Sequence, residues 1–399
     1  MPNTTIGKRQ TFGKRVAGGQ IAPPTAAVQT RPSSNNAPSK WPLLTVGLTV
    51  ILALIFALEQ RYGVEAARAL TFDLRTTVAL GGVDRYLVLH ENEWWRLFTA
   101  PWLHNGLDHL IGNAMALLVV GTLLERLIGK SWLAALFFIG ALGGSIGSLA
   151  YGAATIVSAG ASGAIMCLVT ALYVVSYHTT AGARSARLRR IALIVLVPAL
   201  LPSAAHNGMQ MDIGAHFGGF VVGVVMGFVM LALWPEEQIS PPLRGMAASI
   251  AAAGTLVTVF SFVLVGGHYG TYAARSAALV PGTELANPSD LSARAGDLVR
   301  QYPHDPFLRM LLALDSFRQH YYQDAEQQLR SGLAEHDMLA TQFSPVIELR
   351  MQMLLALVLV AEGRHDEART IAQPICSHSA GDAWMTKVYT ALKDVAVCD

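Results

Sequence analysis

Long apolar runs recur along the first two thirds of the chain and are separated by short polar segments. Their lengths approach the roughly 20 apolar residues with which a helix crosses about 30 Å of hydrocarbon. The pattern therefore predicts seven membrane-spanning helices. They are expected at Trp41–Leu58, Leu107–Leu124, Trp132–Tyr151, Ala161–Tyr177, Ile191–Ala205, Ile213–Leu233 and Ala247–Val265. The fifth run is short and contains two prolines, Pro198 and Pro202, which a helix bundle can accommodate.

Composition agrees with a membrane protein. Of the 399 residues, 52% are hydrophobic and only 14% are charged, and the mean hydropathy is +0.40. The expected fold is an all-α polytopic membrane bundle, followed by a soluble helical domain. The predicted division is a tail at residues 1–40, a six-helix core at 41–235, a linker with the seventh span at 236–266, and the soluble domain at 267–399.

The distribution of basic residues predicts the orientation of the bundle. Residues 1–40 contain six Lys or Arg and no acidic residue, so this tail, which is rich in Pro, Ser, Thr and Gly, is expected to be disordered and cytoplasmic. Alternating from there, the basic loops after the second, fourth and sixth spans also fall on the cytoplasmic side. Everything after the seventh span is then extracytoplasmic.

The last third of the chain has different chemistry. From residue 267 onward there are eleven Lys or Arg, sixteen Asp or Glu and no spanning run. Apolar residues follow a helical period, and the stretches from Leu311 and Leu355 resemble each other as helix hairpins of tetratricopeptide type; an ordinary helical bundle is the equal alternative. Because extracytoplasmic cysteines form disulfides, we predict a bond between Cys376 and Cys398, while Cys167 is a packing residue in the fourth span.

Four polar residues inside the spans are candidates for chemistry, because polar groups at membrane depth are costly. His109 and Asn113 lie four apart on one face of the second span, Ser162 opens the fourth, and His216 lies near the start of the sixth. These three spans run in the same direction, so all four residues are expected at similar depth. Taken singly, Ser162 is more typical of a helix N-cap, and His216 of an interhelical hydrogen bond.

Together these residues suit acyl transfer. Imidazole can accept the proton of a serine hydroxyl and deliver it to a leaving amine. The unpaired backbone N–H of Ser162 at a helix start, with His109 and Asn113, could stabilise an oxyanion. Close helix approach would come from four glycines, Gly160, Gly163, Gly219 and Gly223. Asp212, one turn before His216, is either a triad acid or a solvated loop charge.

With these motifs in order, the sequence resembles the rhomboid family of intramembrane serine proteases over roughly residues 41–235. The resemblance rests on Trp95-Arg96, LHNGLDHLIGN from Leu103, Glu125-Arg126 with Gly129, GASG at 160–163, and AHFGGFVVG from Ala215. It implies a Ser162–His216 dyad without an acid, an oxyanion hole of His109, Asn113 and the Ser162 N–H, and no cofactor. It also implies transmembrane protein substrates within a lipid bilayer, and no nucleic acid.

The chain departs from the family in two respects. Met166, four residues after the serine, stands where the family often has an aromatic residue against the catalytic histidine. The seventh span and the soluble domain lie outside the resemblance; we expect the soluble domain to bind a peptide or protein partner. The rival function is a catalytically silent rhomboid-like protein that binds transmembrane clients. The expected location is a bacterial inner membrane, with a eukaryotic secretory membrane as the alternative.

Overall fold

The computed structural model describes residues 41–398 apart from 66–72, 153–156, 179–181, 202–210, 283, 285–287, 377–382 and 396. The expectations for the N-terminal tail and for the end of the fifth span at 202–205 lie outside the described residues. The first ten helices are α1 (Leu43–Tyr62), α2 (Leu74–Ala79), α3 (Arg85–Leu89), α4 (Arg96–Thr99), α5 (Leu107–Ile128), α6 (Lys130–Tyr151), α7 (Ser162–Val175), α8 (Ala183–Leu200), α9 (Ile213–Leu233) and α10 (Arg244–Ala277).

Each of the seven predicted spans overlaps one of these helices, and the all-α polytopic fold is confirmed. Five of them, α1, α5, α6, α9 and α10, are long and apolar enough to cross a membrane. Helix α7 with its following turn is a shorter apolar segment, and α8 begins with an arginine-rich turn. Within the described residues the only β-type pairing is an isolated antiparallel bridge between Val83 and Ser158.

Helix α7 is the centre of the bundle. Nearly every residue from Gly163 to Val175 is buried, as expected for a helix that is apolar on all sides. It packs against α6 and α9 through glycines: a Cβ added at Gly144 of α6 would lie 2.8 Å from the Cα of Gly163. The short distance between these backbones brings the starts of α7 and α9 together at one end of the bundle. We call this end, where α1 ends and α5, α7 and α9 begin, the upper end.

Helix α10 is longer than the sequence predicts. The apolar run ends at Val265, whereas the helix continues to Ala277, a total of 34 residues, or about 51 Å at 1.5 Å per residue. The predicted division between the seventh span and the soluble domain at residue 267 therefore falls inside a continuous helix.

The remaining chain forms a second group of helices with its own apolar core. They are α11 (Pro288–Gln301), α12 (Pro306–Arg318), α13 (Tyr322–Leu333), α14 (His336–Gln342), α15 (Pro345–Ala361), α16 (His365–Cys376) and α17 (Ala383–Asp394). The pairs α12/α13 and α15/α16 are the two hairpins expected from the sequence; their tetratricopeptide character stays a prediction. The predicted disulfide between Cys376 and Cys398 is confirmed, with Cα atoms 5.4 Å apart.

The soluble helices join the upper end through the segment between α1 and α5. We call residues 73–106, which contain α2, α3 and α4, the α1–α5 connection. Arg75 donates to the carbonyl oxygen of Val280 at 2.9 Å and to Glu65 at 2.8 Å. Asp305, at the start of α12, accepts from the N–H of Val280 at 2.8 Å. Burial raises the pKa of the Asp305 carboxyl.

Candidate active site

Ser162 is the first residue of α7, and the backbone leading to it is held by the α1–α5 connection. Ser158 and Val83 exchange two backbone hydrogen bonds of 2.8 and 2.9 Å. The N–H of Gly160 donates to the carbonyl of Ala100 at 2.9 Å. Gly160 has a φ of +122°, a conformation that glycine adopts without a steric penalty. The three bonds fix the entry of the chain into α7, so Ser162 stands on a constrained turn.

Helix α5 places two side chains against this turn. A Cβ added at Gly160 would lie 2.5 Å from Cε1 of His109 and 3.4 Å from Nδ2 of Asn113. Asn113 is buried, and its Nδ2 has no hydrogen-bond partner in the part of the chain that the structure describes. A buried donor is normally satisfied, and one left unused beside a serine is available to a negative oxygen that develops there.

His216 lies in the first turn of α9 and is buried. Its Nδ1 is 2.6 Å from the carbonyl oxygen of Ala199, in the last turn of α8. A carbonyl oxygen only accepts, so Nδ1 must carry the hydrogen, and in the neutral ring Nε2 is left with a lone pair. His216 therefore has the tautomer that a general base working through Nε2 requires.

Glycines allow α7 and α9 to approach within backbone contact. A Cβ added at Gly219 would overlap the carbonyl oxygen of Gly163, and one added at Gly223 would lie 2.5 Å from that of Cys167. The helix starts that carry Ser162 and His216 are therefore neighbours. No hydrogen bond joins these two side chains among the described residues; in enzymes without substrate such bonds are often long and tighten only in the complex. The dyad stays a prediction.

A family model of the rhomboid domain matches residues 91–233. The chain contains a rhomboid domain. The matched residues begin in the α1–α5 connection and end with α9, so they include the four candidate site residues. The family resemblance inferred from the motifs is confirmed over these residues, whereas the six-helix extent from residue 41 stays a prediction.

Relatives of this rhomboid domain include plant proteins and bacterial proteases. RHOMBOID-like protein 1 of Arabidopsis thaliana is 34% identical over 158 residues, which is 39% of each chain. Rhomboid protease GluP of Bacillus subtilis (strain 168) is 33% identical over 169 residues, 42% of this chain and 33% of the relative. Rhomboid protease AarA of Providencia stuartii is 26% identical over 226 residues, 51% of this chain and 80% of the relative. The chain spans 39 to 49% of the length of four Arabidopsis relatives it matches.

Asp212 is the N-cap residue of α9. Its side chain caps α9 by accepting from the N–H of Ala215 at 2.9 Å, and its other carboxylate oxygen is buried. Asp212 as a whole is half-buried. A triad acid is not supported, because Nδ1 of His216 faces Ala199 instead. Met166 is buried in the core of the rhomboid domain.

Glu59, a buried carboxylate in α1, is not among the site residues that the sequence pattern predicts. Both of its oxygens accept from the backbone N–H of His104 at 3.1 Å, and the His104 ring stands edge-on to that of His109, with centroids 5.2 Å apart. Glu59 thus holds the backbone just before α5, the helix that carries His109. The sequence signal that could have identified Glu59 is its position, an acidic residue directly after the predicted first span.

Proposed function

We propose that the protein is an intramembrane serine endopeptidase that cleaves membrane-anchored proteins. The proposal rests most heavily on one observation, the unused donor of Asn113 beside the constrained turn that carries Ser162. A nucleophile at a helix start with a convergent buried donor is the arrangement that acyl transfer requires. The bacterial proteases among the relatives of the domain add support at the level of the family.

In the proposed reaction, Ser162 Oγ attacks the carbonyl carbon of the scissile bond, and Nε2 of His216 accepts the hydroxyl proton. The resulting imidazolium keeps its Nδ1–H directed at the Ala199 carbonyl, whose partial negative charge stabilises the cation. His216 then returns the proton to the leaving amine, which forms the acyl-enzyme. Water activated by the same histidine hydrolyses the ester and restores the serine. The Ala199 carbonyl takes the orienting role that an acid has in a triad.

The negative oxygen of the tetrahedral intermediate would be met by three donors. Ser162 is the first residue of α7, so its backbone N–H lacks an intrahelical partner and lies at the positive end of the helix. Asn113 contributes Nδ2, and His109, whose ring contacts Gly160, contributes a ring N–H. Preorganised donors of this kind supply a large share of the rate enhancement in acyl transfer.

The proposed substrates are transmembrane proteins cut near the extracytoplasmic face. Support comes from the position of the candidate residues at the upper end, the same end at which the soluble helices attach. The basic loops and the disulfide favour an extracytoplasmic soluble domain, because disulfides persist in oxidising compartments. We extend the proposal to a bacterial inner membrane with a cytoplasmic N-terminus.

The test is labelling with a fluorophosphonate probe, followed by cleavage of a model transmembrane substrate in proteoliposomes. Wild-type protein should be labelled at Ser162 and should cleave, whereas Ser162→Ala and His216→Ala should abolish cleavage with unchanged thermal unfolding. Turnover at the wild-type rate in either variant would refute the dyad. A folded wild-type protein that neither labels nor cleaves, yet retains the substrate, would instead support the silent client-binding function.

A further inference from the structure

The part of α10 beyond the predicted span makes a buried contact with the α1–α5 connection. The Tyr272 side chain is buried, and its hydroxyl donates to Oε1 of Glu93 at 2.9 Å. One turn earlier, Nε2 of His268 lies 3.8 Å from the same carboxylate oxygen. The Tyr272 ring also lies against the guanidinium of Arg96, 5.1 Å from ring centroid to Cζ. Residues of α10 thereby cover the ion pair formed by Glu93 and Arg96.

This pair, Glu93 with Arg96, organises the backbone around it. Oε2 of Glu93 accepts from Nε of Arg96, and Nη1 of Arg96 donates to the carbonyls of Val78 at 2.6 Å and Gly82 at 3.0 Å. Arg96 is fully buried. Its Nη2 has no hydrogen-bond partner among the described residues. Removing one partner of a buried ion pair is strongly destabilising, so Arg96 depends on the position of the Glu93 carboxylate. Tyr272 is one of the groups that hold it.

The same backbone leads directly to the serine. Gly82, held by Arg96, is followed by Val83, which exchanges two hydrogen bonds with Ser158. On the other side of Arg96, the carbonyl of Ala100 accepts from the N–H of Gly160. The charge pair is therefore flanked on both sides by the bonds that fix the entry into α7.

We propose that Tyr272 is a positioning residue for the nucleophile: through Glu93 and Arg96 it couples α10, and the soluble domain mounted on it, to the turn that carries Ser162. This inference rests on the proposed protease function for its kinetic consequence, but the physical coupling can be measured without turnover. Movement of α10 relative to the connection would release the Glu93 carboxylate and loosen both backbone attachments of the 158–160 segment.

The same helix supplies a matched control. Tyr269, one turn before Tyr272, also donates a hydrogen bond of 2.9 Å, but its acceptor is the carbonyl of Tyr62 at the end of α1. Replacing either tyrosine by phenylalanine removes one hydroxyl and keeps the ring. The two variants therefore lie one turn apart on the same helix and differ in the acceptor that loses its donor: Glu93 in Tyr272→Phe and the carbonyl of Tyr62 in Tyr269→Phe.

The first experiment is amide hydrogen exchange on the full-length protein in detergent, followed in peptides covering residues 157–163. Tyr272→Phe should raise the exchange rate of this segment about 5-fold or more, the lower range of couplings between sites, whereas Tyr269→Phe should leave it unchanged. Equal exchange in wild type and Tyr272→Phe, or an equal rise in both variants, would overturn the coupling.

The second experiment measures cleavage by the same three proteins in proteoliposomes. Tyr272→Phe should lower kcat about 5-fold with KM unchanged, because the substrate surface is intact and only the serine is displaced. A rise in KM alone, or unchanged kinetics, would contradict a positioning role. If exchange responds as expected but the wild type does not cleave, the coupling stands and the protease function fails; if the wild type cleaves and exchange is unaltered, the reverse holds.

Discussion

The carbonyl oxygen of Ala199 lies 2.6 Å from Nδ1 of His216 and so joins the last turn of α8 to the first turn of α9. The last four carbonyls of a helix have no intrahelical partner, which leaves this oxygen free to accept a hydrogen bond. The ring tautomer of His216 therefore depends on the residue at which α8 ends. The tautomer of His216 is thus set by the backbone, without a carboxylate.

This relationship predicts the protonation pattern of the ring. NMR of protein with ¹⁵N-labelled histidine should show that the neutral His216 ring carries its proton on Nδ1 and not on Nε2, with the resonance assigned by its loss in His216→Ala. Protonation at Nε2 instead would leave no lone pair for the serine proton and would contradict the proposed base.

Asn113 should contribute to the rate and not to substrate binding. Removing one oxyanion donor in a serine protease costs about 10²–10³-fold in kcat, and Asn113→Ala should fall in this range with KM nearly unchanged. Asn113→Asp keeps the shape of the side chain but replaces the donor by an acceptor, so it should be at least as slow. Steady-state cleavage in proteoliposomes measures both; a selective effect on KM would assign Asn113 to substrate binding.

Gly219 should be intolerant of the smallest added side chain. In Gly219→Ala the new Cβ would overlap the backbone oxygen of Gly163, which cannot move without displacing Ser162. Overpacking of this kind typically costs about 1–3 kcal/mol, so thermal unfolding in detergent should shift downward and fluorophosphonate labelling should slow. Gly266→Ala is the control, because a Cβ there meets no atom within 4 Å; an equal loss in both variants would show that the overlap with Gly163 is not its cause.

Two truncations should behave differently. A chain ending at residue 266 lacks Tyr272, so the Glu93–Arg96 pair would lose a hydrogen-bond donor and become exposed to solvent. We expect this chain to have low activity. A chain ending at residue 282 keeps Tyr272, the Arg75 bond to Val280 and the Gly282 bond to Glu65; it should cleave a generic substrate while selecting less among natural ones. Cleavage assays on both chains provide the test. Equal activity of the two truncations would show that the outer part of α10 is dispensable.

The disulfide offers a test of topology. With Cys376 bonded to Cys398 and Cys167 buried, alkylation of native membranes should label no thiol until a reductant is added. A membrane-impermeant reagent applied from the extracytoplasmic side should then label two cysteines. Replacing both bonded cysteines by serine should lower the free energy of unfolding of the soluble domain by about 3 kcal/mol. Labelling from the cytoplasmic side alone would reverse the predicted orientation.

Local hydropathy located each helix of the bundle, although α8 begins at Ala183, before the predicted start at Ile191. The sixth predicted span has the same bounds as α9, Ile213–Leu233. Here the apolar run and the helix begin and end at the same residues. The sequence also predicts that His109 and Asn113 lie near Gly160, because the second and fourth spans run in the same direction and begin at the same depth. The catalytic roles of these residues stay predictions.

Long-range pairs could not be predicted in this way. Tyr272 and Glu93 are 179 positions apart, and the residues next to each of them do not predict a hydrogen bond between the two. The end of α10 was misjudged because hydropathy reports where a chain leaves hydrocarbon and not where its backbone stops being helical. The polar residues after Val265 end the apolar run, but they continue the helix because they pack against the α1–α5 connection.

The unbroken course of α10 turns the helix into a spacer. Its last twelve residues beyond Val265 span about 18 Å at 1.5 Å per residue. The helix is continuous over this length. A protein segment that leaves the bilayer in extended form needs about six residues to cover that height. In the proposed protease, a client stem shorter than this height would reach Ser162 without touching the end of α10, so we expect stem length to affect which clients contact the soluble helices.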